Sequence, residues 1–362
     1  MYSATRAAIG DAPLGTSALT RAIVDRSQRY TSDRAHLAVP RDRTADLAAR
    51  AAFFTIADAM KIAVPAGELA GRGALPAARP LRVTDLGAGC GAMSLGLLVA
   101  TDLPLAITAI DRDTAALGIA ATALRQLAAA RKRDVAITTR TDDATKTALP
   151  AADLVVIGTL LNELDGEARI RIALRALASL SEDGAVIIIE PALRETARAL
   201  HELRDALLAR GAAHVFAPCT RAIAPCPALA DPSDWCHEDR AVTLPPRTAE
   251  LARLTHLRDA GLKFAYLVLR KTPLALVDEP GAWRIVSAPR TAKGKLEVIG
   301  CSNAGRVTLR LLRRNRTEAN RDFERAERGD VVVTPAAPDD KRVEITDADP
   351  VSRREPARGA DR

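Results

Sequence analysis

Aromatic residues are scarce in this chain of 362 residues, because Phe, Tyr and Trp together make up only 3% of it. Cysteine is scarce too, with five residues, and every apolar run is shorter than the roughly 20 residues that a membrane-spanning helix needs. The short apolar runs argue against a membrane-embedded protein, whereas a hydrophobic content of 48% suffices for a sizeable core. At about 100–200 residues per domain, the length predicts two domains or one enlarged domain in a soluble globular protein.

Positive charge exceeds negative charge, with 52 Lys and Arg against 45 Asp and Glu, which gives a net charge of +7. This excess favours polyanionic partners such as nucleic acid. The N-terminal residues carry arginines among Ala, Ser and Thr, as transit peptides do, but Asp11, Asp25 and Asp33 argue against such a peptide. We therefore expect a cytoplasmic protein. In a reducing compartment, clustered cysteines indicate metal binding or catalysis rather than disulfides.

Short apolar runs alternate with helix-like segments from residue 81 onward, and they read LRVTDLG, LAITAID, DLVVIGTLL and GAVIIIEP. This alternation predicts an α/β fold with a parallel sheet that is covered by helices on both faces. We expect four regions along the chain. They are an N-terminal helical region at 1–78, an α/β domain at 79–275 with a Cys-rich insert at 214–240, a small basic β domain at 276–330, and a disordered tail at 331–362.

A glycine-rich turn follows the first predicted strand and runs from Asp85 through Gly87 and Gly89 to Gly91. Glycines let the backbone pass close to a ligand, and the helix that follows supplies oriented N–H groups. The dinucleotide fingerprint G-x-G-x-x-G is absent. Instead, G-x-G-x-G with an acidic residue two positions earlier resembles motif I of class I methyltransferases that use S-adenosylmethionine (SAM). We therefore expect a Rossmann-like class I fold, with these four residues at the cofactor.

Two further carboxylates are predicted at the cofactor. Asp111 ends the next strand, where an acidic side chain can accept hydrogen bonds from both ribose hydroxyls. Asp143, next to Asp142, lies where the third strand should end, and there such enzymes usually contact the adenine.

The sequence lacks the signatures of two methyl-transfer chemistries. After the fourth strand it reads GTLLNELD rather than Asn/Asp-Pro-Pro-aromatic, and no cysteine follows the fourth or fifth strand to attack a pyrimidine carbon. Asn162 and Glu163 could orient an acceptor, and Glu190 ends a strand at the edge where open α/β sheets place their ligands. The competing interpretation is that Asn162 and Glu163 cap the following helix. The cofactor pocket is therefore better defined than the reaction.

Four of the five cysteines, Cys219, Cys226, Cys236 and Cys301, lie downstream of the glycine turn. Their spacing contains no tight C-x2-4-C pair of the kind that zinc ribbons use, and it lacks the C-x3-C-x2-C run of radical SAM enzymes. Widely spaced thiolates on loose loops suit an iron-sulfur cluster. A zinc site that includes His237 remains open, as does a set of thiols without metal.

Several segments together resemble the Rsm twenty-two (Rsm22) family. Its members are methyltransferase-like proteins associated with the small ribosomal subunit, and in mitochondria they act in assembling it. The matching segments are the glycine turn, residues 161–164, 226–227, 234–237, 266–270 and 283–287, and Cys301. The resemblance covers about residues 40 to 330. The chain departs from the family at Glu238, where an aromatic residue usually follows Cys-His, and in its N-terminal helical region.

The resemblance implies a 4Fe-4S cluster on the four cysteines, SAM at the glycine turn, and small-subunit ribosomal RNA as the partner. Zinc is the alternative metal, and a non-catalytic assembly scaffold is the alternative to an active methyltransferase. In the predicted β domain a basic surface would hold RNA phosphates. It comprises Arg284, Arg290, Lys293, Lys295, Arg306, Arg310, Arg313, Arg314 and Arg316.

Overall fold

A computed structural model of the protein describes residues 15–31, 40, 42–76, 79–220, 223–258, 261–339 and 342–354. Residues 1–14, with Asp11, and residue Asp33 lie outside the described residues, and so does the end of the predicted tail at 355–362.

The main sheet begins with five parallel strands and is completed by antiparallel pairing. Its strands are β1 (Leu81–Leu86), β2 (Leu105–Asp111), β3 (Val135–Thr141), β4 (Ala152–Gly158), β5 (Leu180–Pro191), β6 (His214–Ala217), β7 (Glu238–Arg240) and β8 (Leu262–Arg270). They are ordered β3-β2-β1-β4-β5-β8-β6, and β8 runs antiparallel to both β5 and β6, while the short β7 also pairs with β8. With β7 left aside, this is the 3-2-1-4-5-7-6 order of class I methyltransferases. The predicted fold class is confirmed.

Helices cover both faces of this sheet because β1, β4 and β5 are apolar and buried along most of their length. The helices are α1 (Thr16–Thr31), α2 (Arg43–Ala49), α3 (Thr55–Ala59), α4 (Ala63–Gly71), α5 (Ala92–Ala100), α6 (Thr114–Ala130), α7 (Gly166–Ser179), α8 (Arg194–Ala209) and α9 (Pro246–Thr255). A π-helical turn at Arg50–Phe54 and a 3-10 turn at Met60–Ile62 join α2, α3 and α4. Among the residues that the structure describes, no helix has the length and apolarity to cross a membrane.

A second sheet of seven strands forms the C-terminal part. Its strands are β9 (Ala282–Ile285), β10 (Arg290–Ala292), β11 (Lys295–Ser302), β12 (Gly305–Leu312), β13 (Val331–Val333), β14 (Arg342–Ile345) and β15 (Ser352–Arg354). They are ordered β14-β12-β11-β9-β13-β15, and β10 pairs with β11. Trp283, Val298, Leu309 and Phe323 are buried in its core.

The prediction of a disordered tail from residue 331 is wrong for the part of that tail that the structure describes. Strands β13, β14 and β15 all belong to the second sheet, and Val343 and Ile345 of β14 are fully buried in its core. The Asp- and Arg-rich composition concealed the last two strands, because β14 alternates charged with apolar residues and β15 contains no apolar residue. The limits of the other predicted regions stay predictions.

Candidate cofactor pocket and cysteine site

The turn after β1 bends through three glycines with positive φ, which is 75° at Gly87, 52° at Gly89 and 85° at Gly91. Residues with side chains rarely adopt this conformation. A Cβ on Gly91 would also lie 2.9 Å from the Cβ of Ala120. The turn can therefore take this shape only because glycine occupies these positions.

Asp85 fastens the glycine turn to the start of α5. Its Oδ2 accepts hydrogen bonds from the Ser94 backbone N–H at 3.1 Å and from the Ser94 hydroxyl at 2.5 Å. The side chain is almost fully buried, and burial raises the pKa of Asp85 to about 6. These bonds hold together the two ends of the glycine turn, so Asp85 shapes the pocket without facing it.

Asp111, at the end of β2, lies directly against the glycine turn. Its Oδ2 accepts a hydrogen bond from the Gly89 N–H at 2.8 Å, and its Oδ1 accepts one from the Asp113 N–H at 2.9 Å. Each carboxylate oxygen has a second lone pair that can accept another donor. The protein therefore orients this carboxylate and leaves it capacity for ligand hydroxyls.

Asp143 lies just beyond β3 and bonds mainly within its own loop. Its Oδ1 accepts hydrogen bonds from the N–H of Thr145 at 2.8 Å and from the Thr145 hydroxyl at 2.7 Å. The neighbouring Asp142 N–H donates to the Asp111 carbonyl at 3.0 Å, so this loop adjoins the end of β2. The structure thus brings Asp111, Asp143 and the glycine turn to one edge of the sheet.

Arg50 is a pocket residue that sequence reasoning missed. It forms an ion pair with Asp113, and its Nη2 lies 3.1 Å from the position that a Cβ on Gly89 would take. Arg50 also begins the π-helical turn, and π-helical turns within helices are frequent at functional sites. The N-terminal helices therefore reach the glycine turn. The sequence carries no signal for this contact, because it joins residues that are distant in the chain.

Glu190 and Asn162, two of the candidate catalytic residues, bond to each other. Glu190 Oε1 accepts hydrogen bonds from the N–H groups of Leu160 and Leu161, at 3.2 and 2.8 Å, and its Oε2 accepts one from Asn162 Nδ2 at 2.8 Å. Burial raises the pKa of Glu190 to about 7, although these hydrogen bonds oppose the rise. Glu190 thus holds the loop after β4 in place. The competing helix-cap interpretation is wrong, because Asp165 caps α7 through the Ala168 N–H.

Glu163 is the candidate catalytic residue that faces the N-terminal helices. The Tyr30 hydroxyl of α1 donates to its carboxylate at 3.4 Å, and the Arg112 guanidinium lies 3.7 Å away. Arg26 in turn donates to the Tyr30 hydroxyl at 2.8 Å and pairs with Asp46 of α2 at 2.9 Å. Burial raises the pKa of Glu163, while the nearby arginines lower it. The contact joins Tyr30 of α1 to the loop after β4, which is distant in sequence, and no sequence motif predicted it.

The four downstream cysteines converge from three loops and one strand. Cys219 follows β6, Cys226 precedes a 3-10 turn at Pro227–Leu229, Cys236 precedes β7, and Cys301 lies in β11 of the second sheet. Burial raises the pKa of Cys236, and the negative charges of the other three thiolates raise it further. The Thr220 hydroxyl donates to the Cys301 carbonyl at 3.0 Å, which ties the insert to β11.

No disulfide joins the five cysteines, all of which are described. Within the described ranges, no three or more His, Cys, Asp or Glu side chains form a group that could hold a metal ion. The structure thus brings the four thiols near one another across the two sheets without a preformed site for a single ion.

Alternate residues of the segment 234–238 contact one row of the second sheet. The strand register pairs Cys301 of β11 with Arg306 of β12 and with Arg284 of β9, so these three side chains lie side by side. The contacts are the ion pairs of Asp234 with Arg306 and of Glu238 with Arg284, and Cys236 lies between Asp234 and Glu238 in the chain, as Cys301 lies between the two arginines in the sheet. We call this arrangement the 234–238 ladder. It places the cysteine pair between two ion pairs.

Arg284 belongs to a buried network of charged and polar groups. It donates to Glu68 of α4 and to Glu238, each at 2.8 Å, and to the Tyr266 hydroxyl at 2.9 Å, while Tyr266 donates to Glu68 at 2.6 Å. The Arg284 side chain is only 3% exposed. The prediction that Arg284 contacts RNA is therefore wrong, because this side chain connects the two sheets and α4.

Several other arginines and lysines of the predicted basic surface are paired with carboxylates. These pairs are Lys295 with Glu297, Arg306 with Asp234, Arg310 with Glu344, and Arg316 with Glu324. Lys293, Arg313 and Arg314 are exposed and lie close in the fold, because the Arg313 N–H donates to the Gly294 carbonyl at 2.7 Å. We call these three residues the basic tip. Arg290 is exposed nearby on β10.

Comparison with known proteins gives a family and several distant structural matches. A sequence model of the family described as mitochondrial small ribosomal subunit Rsm22 matches residues 62–332. No curated protein matches the chain. Among solved structures, the chain is similar to magnesium protoporphyrin IX methyltransferase from Synechocystis PCC 6803, at 12% identity over 69% of this chain and 97% of that one, with a TM-score of 0.39. It is also similar to phosphoethanolamine N-methyltransferase 1 from Haemonchus contortus, at 16% identity over 47% of this chain and 32% of that one, with a TM-score of 0.28.

Proposed function

Because this chain belongs to the Rsm22 family, we propose that it is a SAM-binding, iron-sulfur-containing, methyltransferase-like protein that acts on or with small-subunit ribosomal RNA. The observation that carries the proposal is the glycine turn, with Asp111 bonded to Gly89, at the carboxyl edge of a sheet with class I methyltransferase order. Open α/β sheets bind their ligands at this edge.

The cofactor-binding part of the proposal uses residues that the fold brings together. The turn through Gly87, Gly89 and Gly91 would face SAM, with Asp85 holding it from below. Asp111 would accept the ribose hydroxyls with its remaining lone pairs, and Asp143 would lie beside the adenine. In support, Asp111 is oriented by two backbone N–H groups before any ligand arrives.

The metal-binding part of the proposal assigns a 4Fe-4S cluster to Cys219, Cys226, Cys236 and Cys301. The donor set consists of four thiols with no disulfide among them, and cysteine thiolates are the usual ligands of such a cluster. A bound cluster would supply a rigid connection between the insert and the second sheet. Zinc remains the alternative metal for the same four sulfurs.

The reaction is the open part of the proposal. Glu163 is the best placed of the three candidate catalytic residues. The carboxylate of Glu190 already accepts hydrogen bonds from the backbone of the loop after β4, and Asn162 donates to Glu190. Glu163 would orient a methyl acceptor at the rim of the pocket. The alternative is a non-catalytic assembly scaffold, which is favoured by the lack of a recognisable acceptor motif after β4.

Ribosomal RNA is the proposed partner because the family is named for the small ribosomal subunit. The basic tip would contact phosphates, a contact that needs no aromatic side chains. The cytoplasmic location expected from the sequence stays a prediction, and since the family is described from mitochondria, the mitochondrion is the alternative compartment.

The cofactor proposal is tested by calorimetric titration of S-adenosylhomocysteine into the wild type, Asp111→Ala and Asp102→Ala. Asp102 is a fully exposed carboxylate that precedes β2, at the opposite end of that strand from Asp111, so its variant is the matched control. Each hydrogen bond to a charged group contributes about 1.5–3 kcal/mol. Loss of two should weaken binding by at least about 100-fold in Asp111→Ala and leave Asp102→Ala unchanged. Equal affinities in all three would remove the pocket assignment.

The metal and the reaction are tested separately. Anaerobically purified wild type should contain about four irons and four sulfides per chain, and Cys236→Ser should lose both. One zinc per chain would replace the cluster with the alternative. Methyl transfer from labelled SAM to small subunits isolated from cells that lack the protein would identify an enzyme, whereas binding to those subunits without transfer would identify a scaffold.

A further inference from the structure

Arg50 reaches the glycine turn from the N-terminal helices with part of its guanidinium unused. Its Nη1 donates to Asp113 Oδ2 at 2.5 Å, and within the described part of the chain its Nη2 and Nε have no acceptor. The side chain is only 19% exposed, so most of it is withdrawn from solvent. A guanidinium is planar and can form parallel hydrogen bonds to both oxygens of a carboxylate. The unused donors of Arg50 therefore suit an anionic group of a ligand.

Packing fixes the position of Arg50 relative to the turn. Its neighbour Ala51 belongs to a buried cluster with Cys90 of the turn and Ala116 of α6. Asp113, which holds the guanidinium through Oδ2, also caps α6, because its Oδ1 accepts the Ala116 N–H at 3.1 Å. The guanidinium is thus held in place before a ligand arrives, which lowers the entropy that binding would cost.

The strand order places Arg50 and Asp143 on opposite sides of Asp111. The strands run β3-β2-β1, with Asp143 just beyond β3, Asp111 at the end of β2 and the glycine turn beyond β1. Arg50 Nη2 lies on the β1 side, 3.1 Å from the position that a Cβ on Gly89 would take. A SAM molecule with its ribose on Asp111 and its adenine toward Asp143 would therefore extend its amino acid end toward Arg50.

The amino acid end of SAM carries the only anionic group of that molecule, the α-carboxylate. Three acidic residues already surround the turn, since Asp85 bonds Ser94, Asp111 bonds the Gly89 N–H, and Asp113 pairs with Arg50. Carboxylates at this place would repel the carboxylate of the ligand. A guanidinium beside Gly89 offsets that repulsion where the ligand carboxylate would lie.

We propose that Arg50 binds the α-carboxylate of SAM through its Nη2 and Nε donors while its Nη1 stays on Asp113. The inference rests on the proposed SAM site and deepens it. Arg50 would make the pocket select ligands that carry the amino acid over nucleosides that lack it. The N-terminal helices would then complete a binding site whose other residues belong to the α/β domain.

The experiment is a calorimetric titration of the full chain with two ligands that differ in one group. S-adenosylhomocysteine carries the α-carboxylate, and its decarboxylated analogue has a hydrogen in that place. The wild type should bind S-adenosylhomocysteine at least about tenfold more tightly than the analogue, which is about 1.4 kcal/mol. In Arg50→Gln this preference should fall to about threefold or less, because the hydrogen bonds to the charged carboxylate are lost while binding of the analogue is unchanged.

Two further variants sharpen the comparison. Arg50→Lys can still pair with Asp113 but presents a point charge instead of a planar fork, so it should lose at least about threefold in affinity for S-adenosylhomocysteine and none for the analogue. Arg133 follows α6 at the far end of that helix from Asp113. It donates to the carbonyls of Thr101 and Leu103 at 2.5 and 2.7 Å, and its side chain is 12% exposed. Arg133→Gln should leave both affinities unchanged.

Equal affinity of the wild type for the two ligands would overturn the inference, and so would an undiminished preference in Arg50→Gln. If Arg50→Gln binds neither ligand, Arg50→Lys decides. Selective weakening of S-adenosylhomocysteine binding in Arg50→Lys supports the inference, whereas weakening of both ligands alike, or of neither, overturns it. A wild type that binds neither ligand would refute the proposed SAM site together with this inference. The other outcomes leave the proposed SAM site intact.

Discussion

Replacement of Arg284 by Met tests whether the buried charged network holds the two sheets together. The change removes the guanidinium that donates to Glu68, Glu238 and Tyr266, and methionine replaces it with an apolar side chain of similar length. Glu68 and Glu238 would then be two carboxylates whose side chains are 2% and 6% exposed, without their shared cation. Removal of one partner from a buried ion pair usually destabilises a protein by 3–5 kcal/mol.

The expected loss lies near the lower end of that range, because each carboxylate keeps one partner. Arg240 still pairs with Glu238 at 2.6 Å, and the Tyr266 hydroxyl still donates to Glu68 at 2.6 Å. We expect a loss of about 3 kcal/mol. With an unfolding entropy of about 2.1 cal/mol/K per residue over the 362 residues, this corresponds to a fall in Tm of about 4 °C.

The assay is thermal unfolding by differential scanning calorimetry at pH 8 and at pH 5, with Arg310→Met as the control. Arg310 pairs with Glu344 in the same sheet, but its side chain is 23% exposed, so its removal should change stability by no more than about 1 kcal/mol. Burial raises the pKa of Glu238 and the Arg284 charge lowers it, so in Arg284→Met the pKa of Glu238 should rise above the unfolded value. A raised carboxyl pKa makes the variant most stable at low pH, and this stability is lost as pH rises. The difference in Tm between Arg284→Met and the wild type should therefore be smaller at pH 5 than at pH 8.

Two results would contradict this reasoning. The first is a Tm for Arg284→Met within about 1 °C of the wild type at pH 8. The second is a deficit that is the same at both pH values, which would indicate lost packing rather than stranded charge.

Three further predictions concern other parts of the fold. Asp153, a buried carboxylate that binds Arg79, Arg82 and Ser181, has a pKa held below its usual range, mainly by hydrogen bonds that outweigh its burial. Urea unfolding of Asp153→Asn at pH 7 should therefore show an unfolding free energy about 2 kcal/mol below that of the wild type. This difference should shrink as pH falls below about 5, because protonation of Asp153 removes the advantage of the wild type. A difference that does not change with pH would argue against the charge of Asp153 as its cause. Gly96→Ala should lower the unfolding free energy in urea by about 1–3 kcal/mol, because the added Cβ would clash with the Ala59 carbonyl oxygen. The control Gly118→Ala has open space around the added Cβ and should raise the unfolding free energy by up to about 1 kcal/mol. Substitution of the three basic-tip residues by Ala should lower the salt dependence of binding to small-subunit RNA by about 2 units of log K per log salt concentration; the same slope in variant and wild type would place the RNA contact elsewhere.

The sequence predicted those parts of the fold in which neighbouring residues carry the signal. The strands β1, β2, β4 and β5 are recognisable because a strand that is buried on both faces is an apolar run, and the glycine turn is recognisable because only glycine tolerates its backbone. The last two strands of the tail were missed because both are short, β14 alternates charged with apolar residues, and β15 has no apolar residue. Periodicity over so few residues does not distinguish a strand from a polar loop.

Side-chain partners distant in sequence account for the rest of what was missed. Arg284 and Arg310 are both arginines in strands, yet one is buried between two sheets and the other lies near the surface. Composition treats them alike, and only the three-dimensional position of Glu68 and Glu238 separates them. The same holds for Arg50 and Tyr30, whose contacts with the pocket depend on how the N-terminal helices pack.

The departure from the family pattern at Glu238 gains a physical reason from the 234–238 ladder. An aromatic residue at this position would fill the space beside Cys236 with apolar surface, whereas Glu238 fills it with a buried carboxylate that needs a cation. Arg284 is that cation, and the strand register places it next to Cys301. Asp234 and Arg306 form the second ion pair, on the other side of the same cysteines. Two ion pairs therefore attach the segment 234–238 to β9 and β12, the two strands that pair with β11 at Cys301. The proposed metal would meet a segment that is already attached to the second sheet, so its binding would cost less conformational entropy, which is an advantage that buried ion pairs can offer even where they add little to stability.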